Sequence, residues 1–322
     1  MPAQPESMPM NEEQPVNPYV FVVGCPRSGT TLLQRMLDNH PQLTVSNDTH
    51  FIIDAVKTTL RQDQHPRMNP VLLEAVINYR RTYRLGLENG DFQQAAIDSD
   101  TYAEFVSKLY NLRGSRQNKP FSGEKTPNFC RQIPALHTLF PSSRFIHIVR
   151  DGRDTTLSAL RWATDTKGPG KWGLWKEDPV GTCALWWRWQ AGAGDRDGRA
   201  LPNGLYRSLR YEDLVSNPES ELKQIARLLG LPYSEDMVNY HVGKVRKQSG
   251  LSAKSAWLPP VQGLRDWRQD MSPEDVSVFE SIAGDLLTRF GYECVRPRAE
   301  RSVIRRVSRC LQWWDQEGKE RR

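Results

Sequence analysis

The stretch YVFVVGCPRSGTTLLQRMLDNHP, residues 19–41, constrains this chain more than any other. Tyr19 to Val23 is a short, wholly apolar, β-rich run stopped by a glycine. A strand covered on both faces reads this way, as in a parallel sheet flanked by helices. Leu32, Leu33, Met36 and Leu37 then recur at helical spacing until Asn39-His40-Pro41 ends the pattern. The segment between them has the form Gly-x-x-x-x-Gly, from Gly24 to Gly29. A loop between a strand and a helix N-terminus turns its backbone N–H groups on one point, where the helix dipole adds partial positive charge. The predicted ligand is therefore an anion. Thr30 stands where a nucleotide hydrolase has lysine, and Arg27 carries the charge instead. Gly29 permits close backbone approach, Ser28, Thr30 and Thr31 offer hydroxyls, and Arg27 offers a planar fork for oxyanions.

The pattern recurs. RFIHIV, residues 144–149, reads as a strand, and Asp151-Gly152 turns it into a helix. GLYRSLRYEDL predicts a strand ending near Tyr211. Ser216 and Glu219 after it have capping-box spacing for a helix bearing Leu222, Ile225, Ala226 and Leu229. Ser272-Pro273-Glu274-Asp275 opens a helix carrying Phe279, Ile282, Leu286 and Phe290, closed by Gly291. Strands alternating with helices predict an α/β, P-loop-like three-layer fold with a central, mainly parallel sheet. With 322 residues, 38% of them hydrophobic, one large domain is expected. We place it at 19–292, with a helical insertion at about 51–115 that contributes to an acceptor-binding lid. A disordered segment, 1–18, precedes it, and a basic, amphipathic, helical tail, 293–322, follows. TDTKGPGKWGLWKEDP, rich in Gly, Pro and Trp, is expected to be a mobile loop.

The net charge of +6 suits a polyanionic ligand, nucleic acid or an anionic membrane and does not choose among them. Five cysteines without a Cys-x-x-Cys pair suggest neither a disulfide framework nor a structural zinc site. With no apolar run of membrane-spanning length and no signal-peptide pattern, the sequence is expected to be cytoplasmic.

A second anion site follows the second strand. Arg150 stands at its carboxyl end, where ligands bind in open α/β sheets, and Ser158 lies eight residues on in the next helix. PRSGTT, this Arg and Ser pair, and RYEDL at 210–214, in that order, resemble the sulfotransferases that use 3′-phosphoadenosine 5′-phosphosulfate. The resemblance covers about residues 19–292. It implies that Arg27, Ser28, Gly29, Thr30 and Thr31 hold the 5′-phosphosulfate, that Arg150 and Ser158 hold the 3′-phosphate, and that Tyr211 lies near the adenosine. It further implies a donor with phosphates at both ends of its ribose and transfer without a metal. The branch that resembles the tyrosylprotein and bacterial enzymes places its catalytic glutamate where this chain has Asp48, in HPQLTVSNDTH. His50 is the competing base. Lys125, in GEKTP, matches the lysine that contacts the transferring group; Glu124 beside it orients Lys125 or faces water. Arginine does not readily release a proton, so Arg27 is the clamp and Lys125 the better acid. Arg265, in GLRDW, stands where the branch has a basic residue near the donor, and Arg246, Lys247 and Lys254 are read as a solvated patch.

His147 inside its apolar strand reads as a core histidine, and Trp186, Trp187 and Trp189 as core. On the tail, Val303, Val307, Cys310, Leu311 and Trp314 share one helical face. Docking on the domain or a homodimer contact is favoured over a peripheral membrane contact. The acceptor is a small molecule or peptide hydroxyl or amine, and no nucleic acid is expected. The alternatives are a small-molecule kinase of the P-loop type, which requires magnesium and ATP, and a catalytically silent nucleotide-binding scaffold.

Overall fold

The computed structural model describes residues 16–242, 266–295 and 300–317. Five strands form one sheet: β1 Val20–Val23, β2 Leu43–Asn47, β3 Phe121–Lys125, β4 Arg144–Val149 and β5 Tyr206–Arg210. Their order is β2-β3-β1-β4-β5, and every neighbouring pair is parallel. All five carboxyl ends therefore lie along one edge, and every connection must cross a face of the sheet. That requirement explains why β1 is apolar at every position and fully buried.

The helices are α1 Thr30–Asp38, α2 Phe51–Asp54, α3 Pro70–Ile77, α4 Asn89–Ile97, α5 Tyr102–Ser115, α6 Ile133–Leu139 and α7 Gly152–Leu160. Then follow α8 Pro179–Arg199, α9 Tyr211–Ser216, α10 Pro218–Leu229, α11 Trp267–Asp270, α12 Pro273–Arg289 and α13 Arg301–Glu317. The two-residue alternation of the strands splits the core into layers. Val20 and Val22 of β1 and Ile146 and Ile148 of β4 pack with Leu33, Met36 and Leu37 of α1 and with Leu222 and Ile225 of α10. Phe21 and Phe145 point to the other face, against Phe105 and Leu109 of α5 and Leu136 of α6. Beyond them α7, α8, α12 and α13 share a third cluster around Trp187, Phe279 and Leu286.

The expected insertion contains α2 to α5 and no strand among its described residues. α5 is the best specified: Thr101 accepts from the Glu104 N–H while Glu104 returns to the Thr101 N–H, a reciprocal cap. Ser272 caps α12 in the expected way, accepting from the Asp275 N–H at 3.1 Å. α13 docks on its own domain, with Val303 and Cys310 buried and Arg306 bridging Asp178, Glu274 and Asp275.

Three expectations fail. Ser216 does not cap α10: it is the last residue of α9, and its hydroxyl donates to the Glu212 carbonyl four residues back. The Gly-, Pro- and Trp-rich stretch is packed, because Trp172 and Leu174 are buried and Trp172 stacks on Trp313 of α13 at 5.3 Å. The first ordered residues precede Tyr19: the Asn17 amide is buried and donates to Asn111 Oδ1 and the Pro120 carbonyl.

Candidate functional site

The loop after β1 enters α1 through Gly29, whose φ of 91° is left-handed. Only glycine adopts that backbone without strain. A Cβ there would also stand 2.3 Å from Cδ2 of Tyr211. Among the described residues no side chain caps α1, and no acidic residue occupies its first turn. The orphan N–H groups of the helix start are left for a ligand. Ser28 Oγ is fully buried with no hydrogen-bond partner among the described residues. An unpartnered buried hydroxyl costs about 1–3 kcal/mol, so it fits an anion that belongs in the loop.

Each other strand end delivers a candidate group to the same edge, the position at which open α/β sheets bind ligands. Asp48 follows β2. Lys125 ends β3, in register with Val22 on one side and Asn47 on the other, so its side chain lies between the loop and Asp48. Arg150 follows β4 and Tyr211 follows β5.

Lys125 is 1% exposed, yet its Nζ donates to Asp48 Oδ1 at 3.1 Å and Thr31 Oγ1 at 3.4 Å. Burial pushes the ammonium below the ordinary lysine range, against the opposing pull of Asp48. For Asp48, burial pushes upward. The Lys125 charge and hydrogen bond, with His50 and Arg81, outweigh it and hold the carboxyl below the usual range. His50 is held below the ordinary histidine value by burial and by Arg81, which leaves the ring neutral at neutral pH. Asp48, His50 and Arg27 have φ of 56°, 64° and 82°, three of the four described non-glycine residues in the left-handed region. Strain of this kind concentrates at working sites.

Glu124 neither orients Lys125 through a hydrogen bond nor faces water. It is fully buried and accepts from Ser46, Thr49 N–H at 3.0 Å, Tyr110 Oη at 2.7 Å and Thr126. Through these bonds it pins the Asp48 turn to β3 and α5. Besides Lys125, two groups from the insertion reach the Asp48 turn: Arg84 Nη1 lies 2.8 Å from the Asn47 carbonyl and 3.7 Å from Asp48 Oδ2, and Arg81 Nη1 3.5 Å from the Asp48 carbonyl. Neither arginine was singled out from the sequence; the only signal is the run Arg80-Arg81-x-x-Arg84.

The two expected anion cradles are joined. Arg27 Nε donates to Ser158 Oγ at 2.9 Å, so a residue of the first loop touches a residue expected in the second. Tyr211 wedges between them, its ring against Gly29 on one side and 4.8 Å from the Arg150 guanidinium on the other. Arg150 Nε is buried and unpartnered among the described residues, a second orphan polar atom. Arg265, Arg246, Lys247 and Lys254 lie outside the described residues. His147 is a core residue: fully buried, with Nδ1 2.8 Å from Tyr206 Oη, its pKa lowered by burial to about 4. Trp186 and Trp187 are core, whereas Trp189 is half-buried under the Arg131 guanidinium at 3.9 Å. The described residues contain no group of His, Cys, Asp and Glu suited to a metal ion, and no helix among them is long and apolar enough to cross a membrane.

A parallel sheet in this order, with a lysine-free glycine loop and cations gathered at its carboxyl edge, defines a P-loop-like α/β protein built to grip a polyanion. The sulfotransferase family model matches residues 18–235. The chain belongs to that family, and its activity is the transfer of a sulfuryl group. It is 25% identical over 288 residues to protein-tyrosine sulfotransferase A of Caenorhabditis elegans, a match spanning 86% of this chain and 68% of that one. To protein-tyrosine sulfotransferase 1 of Danio rerio it is 25% identical over 293 residues, covering 86% and 72%. Among solved structures, the sulfotransferase domain from the curacin biosynthetic pathway superposes with a TM-score of 0.57 at 19% identity, covering 86% of this chain and 98% of that one. That likeness supports the fold.

Proposed function

We propose that this chain transfers the sulfuryl group of 3′-phosphoadenosine 5′-phosphosulfate to a hydroxyl on a protein or peptide acceptor. The observation that carries the proposal is Lys125, a buried ammonium held between Thr31 of the loop and Asp48. The donor fits the residues present. The α1 N-terminus, Ser28 and Thr30 would hold its 5′ end, and Arg150 and Ser158 its 3′-phosphate, with Tyr211 between. Bound there, it supplies an activated sulfuryl group whose leaving group is a phosphate.

Lys125 and Thr31 would stabilise the charge that grows on the departing oxygen, and a preorganised cation at such a point contributes most in the transition state. Arg27 acts as a fixed charge because guanidinium keeps its proton. Asp48 takes the acceptor proton. Its low pKa keeps it ionised, and its contact with Lys125 lets the proton and the leaving charge be handled by adjacent groups. His50, neutral and nearby, is the alternative base, and pH separates the two. With Asp48 as base, the acid limb of kcat/KM lies below the ordinary carboxylate range. With His50 it lies in the histidine range, shifted downward. Asp48→Asn should abolish turnover while His50→Gln retains it; the reverse result reassigns the base.

The relatives named as protein-tyrosine sulfotransferases support a peptide tyrosine as acceptor. Arg81 and Arg84 beside Asp48 favour acidic neighbours to that tyrosine. The test is transfer from labelled donor to tyrosine peptides with acidic or neutral flanks, together with thermal stabilisation by adenosine 3′,5′-bisphosphate and by ATP. Labelling of acidic-flanked peptides and stabilisation by the bisphosphate alone are expected. Stabilisation by ATP with magnesium, and no sulfuryl transfer, would indicate a kinase.

A further inference from the structure

Arg150 does not wait for a ligand as a bare cation. Four residues on, Asp154 projects from α7 and places Oδ2 3.5 Å from Arg150 Nη2. Its other oxygen, Oδ1, accepts the Trp267 N–H at 3.0 Å, at the first residue of α11. One carboxylate thus touches both the arginine assigned to the donor phosphate and the backbone of a separate element. Both side chains are largely buried, at 9% and 13% exposed.

The other acids near this corner are already engaged. Asp151 accepts from Arg153 Nε and Nη2 at 3.0 and 2.7 Å. Glu212, on α9, accepts from the Asp151 N–H at 3.1 Å and Tyr292 Oη at 2.7 Å. Asp266, the N-cap of α11, accepts from Arg268 N–H and Gln269 Nε2. Asp154 is therefore the acid left to face Arg150. It borders a cavity of about 670 Å³ whose walls include Arg153, Glu212, Asp266 and Arg268. A phosphate reaching Arg150 must share the guanidinium with this carboxylate or displace it.

We propose that Asp154 is a positioning residue for the donor: it occupies Arg150 as a stand-in anion, and it ties the arrival of the donor phosphate to the seating of α11. The idea rests on the assignment of Arg150 to that phosphate. Burial, and then the carboxylates of Asp151 and Glu212, work against its charge, while Arg150 and the Trp267 N–H support it; the balance puts its pKa at about 6. A second anion on Arg150 must push it further up. Binding should then take up a proton at Asp154 near neutral pH.

The test uses the full chain and adenosine 3′,5′-bisphosphate, by titration calorimetry in buffers of different ionisation enthalpy. The bisphosphate's own phosphates titrate equally in every variant, so only the difference between variants counts. Asp154→Asn keeps an acceptor for the Trp267 N–H and removes the charge. Relative to it, the wild-type chain should take up an additional fraction of a proton. The variant should bind roughly three- to tenfold more tightly at about pH 8, the effect of removing one partly screened like charge. Asp154→Ala should gain the same affinity on Arg150 but lose hydrogen-exchange protection at the Trp267 amide, which Asp154→Asn should keep. Equal proton uptake in the wild-type and Asp154→Asn chains overturns the proposal while leaving the donor site intact. No binding by the wild-type chain overturns both. Should neither variant fold, the wild-type chain alone decides: exchange at Trp267 should slow when the bisphosphate binds, and unchanged exchange counts against the coupling.

Discussion

Replacing Lys125 with methionine tests the centre of the mechanism, because methionine keeps the length and apolar stem of the side chain and removes only its charge. The residue is 1% exposed, and methionine adds no polar atom of its own and leaves the packing of β3 in place, while Asp48 Oδ1 and Thr31 Oγ1 lose the donor they share. The loss is electrostatic. Unit charges about 4 Å apart interact by about 4 kcal/mol at an effective dielectric of about 20. Only the part felt more strongly in the transition state slows the reaction, and removal of one preorganised donor typically lowers kcat by about 10²–10³. Donor affinity should change by less than about tenfold, because the α1 N-terminus and Arg150, to which we assign the phosphates, are untouched. The second consequence falls on Asp48. Its carboxyl is held low first of all against burial, by Lys125 acting through charge and hydrogen bond. Without that ammonium the upward push of burial is less opposed, so the acid limb of kcat/KM should move to higher pH. Single-turnover rates with saturating labelled donor, bisphosphate affinity and a pH profile measure the three effects. A variant with wild-type single-turnover rate but weakened donor binding would place Lys125 in ground-state binding and refute the assignment. An unmoved acid limb would refute the coupling to Asp48.

Arg150→Ala should weaken bisphosphate binding by roughly 10²-fold or more, the loss of one or two charge-assisted hydrogen bonds, while kcat at saturating donor stays within a few-fold; a reversed pattern in steady-state kinetics would exchange its role with that of Lys125. Gly29→Ala puts a Cβ at φ 91° and 2.3 Å from the Tyr211 ring. The left-handed backbone alone costs about 1–2 kcal/mol, and the displaced ring disturbs both phosphate positions. Lower melting temperature and lost bisphosphate stabilisation are expected, and an intact bisphosphate-induced shift would argue against the loop as ligand cradle. Burial depresses the His147 pKa from 6.5 to about 4, so the unfolded chain binds the extra proton between those values. The contribution to stability is full above pH 6.5 and falls as pH is lowered towards 4, by about 3 kcal/mol in all. Denaturant melts across that window should show the slope in the wild-type chain and lose it in His147→Gln.

Legibility in the sequence follows the range of the forces involved. β1, the glycine loop and α1 are readable because burial on both faces demands an unbroken apolar run, and because a positive φ demands Gly29. The strand ending in Val149 and the cap at Ser272 follow from equally local rules. The Ser216 spacing misleads because a one-turn helix, α9, takes that serine as its own last residue. The packed Trp172 segment misleads because its partner, Trp313, lies far along the chain.

Local pattern along the chain carries the strand–loop–helix units of β1, β4 and β5 and the chemical groups that follow those strands. Tertiary structure alone decided that Arg84 reaches Asp48, that Tyr211 wedges between Gly29 and Arg150, that Glu124 is consumed in anchoring the Asp48 turn, and that Asp154 faces Arg150 and Trp267 together. The physical reason is that a parallel sheet brings five strand ends, distant in sequence, to one edge. Which side chains then meet there depends on register and on the packing of the covering helices, and no local pattern records either.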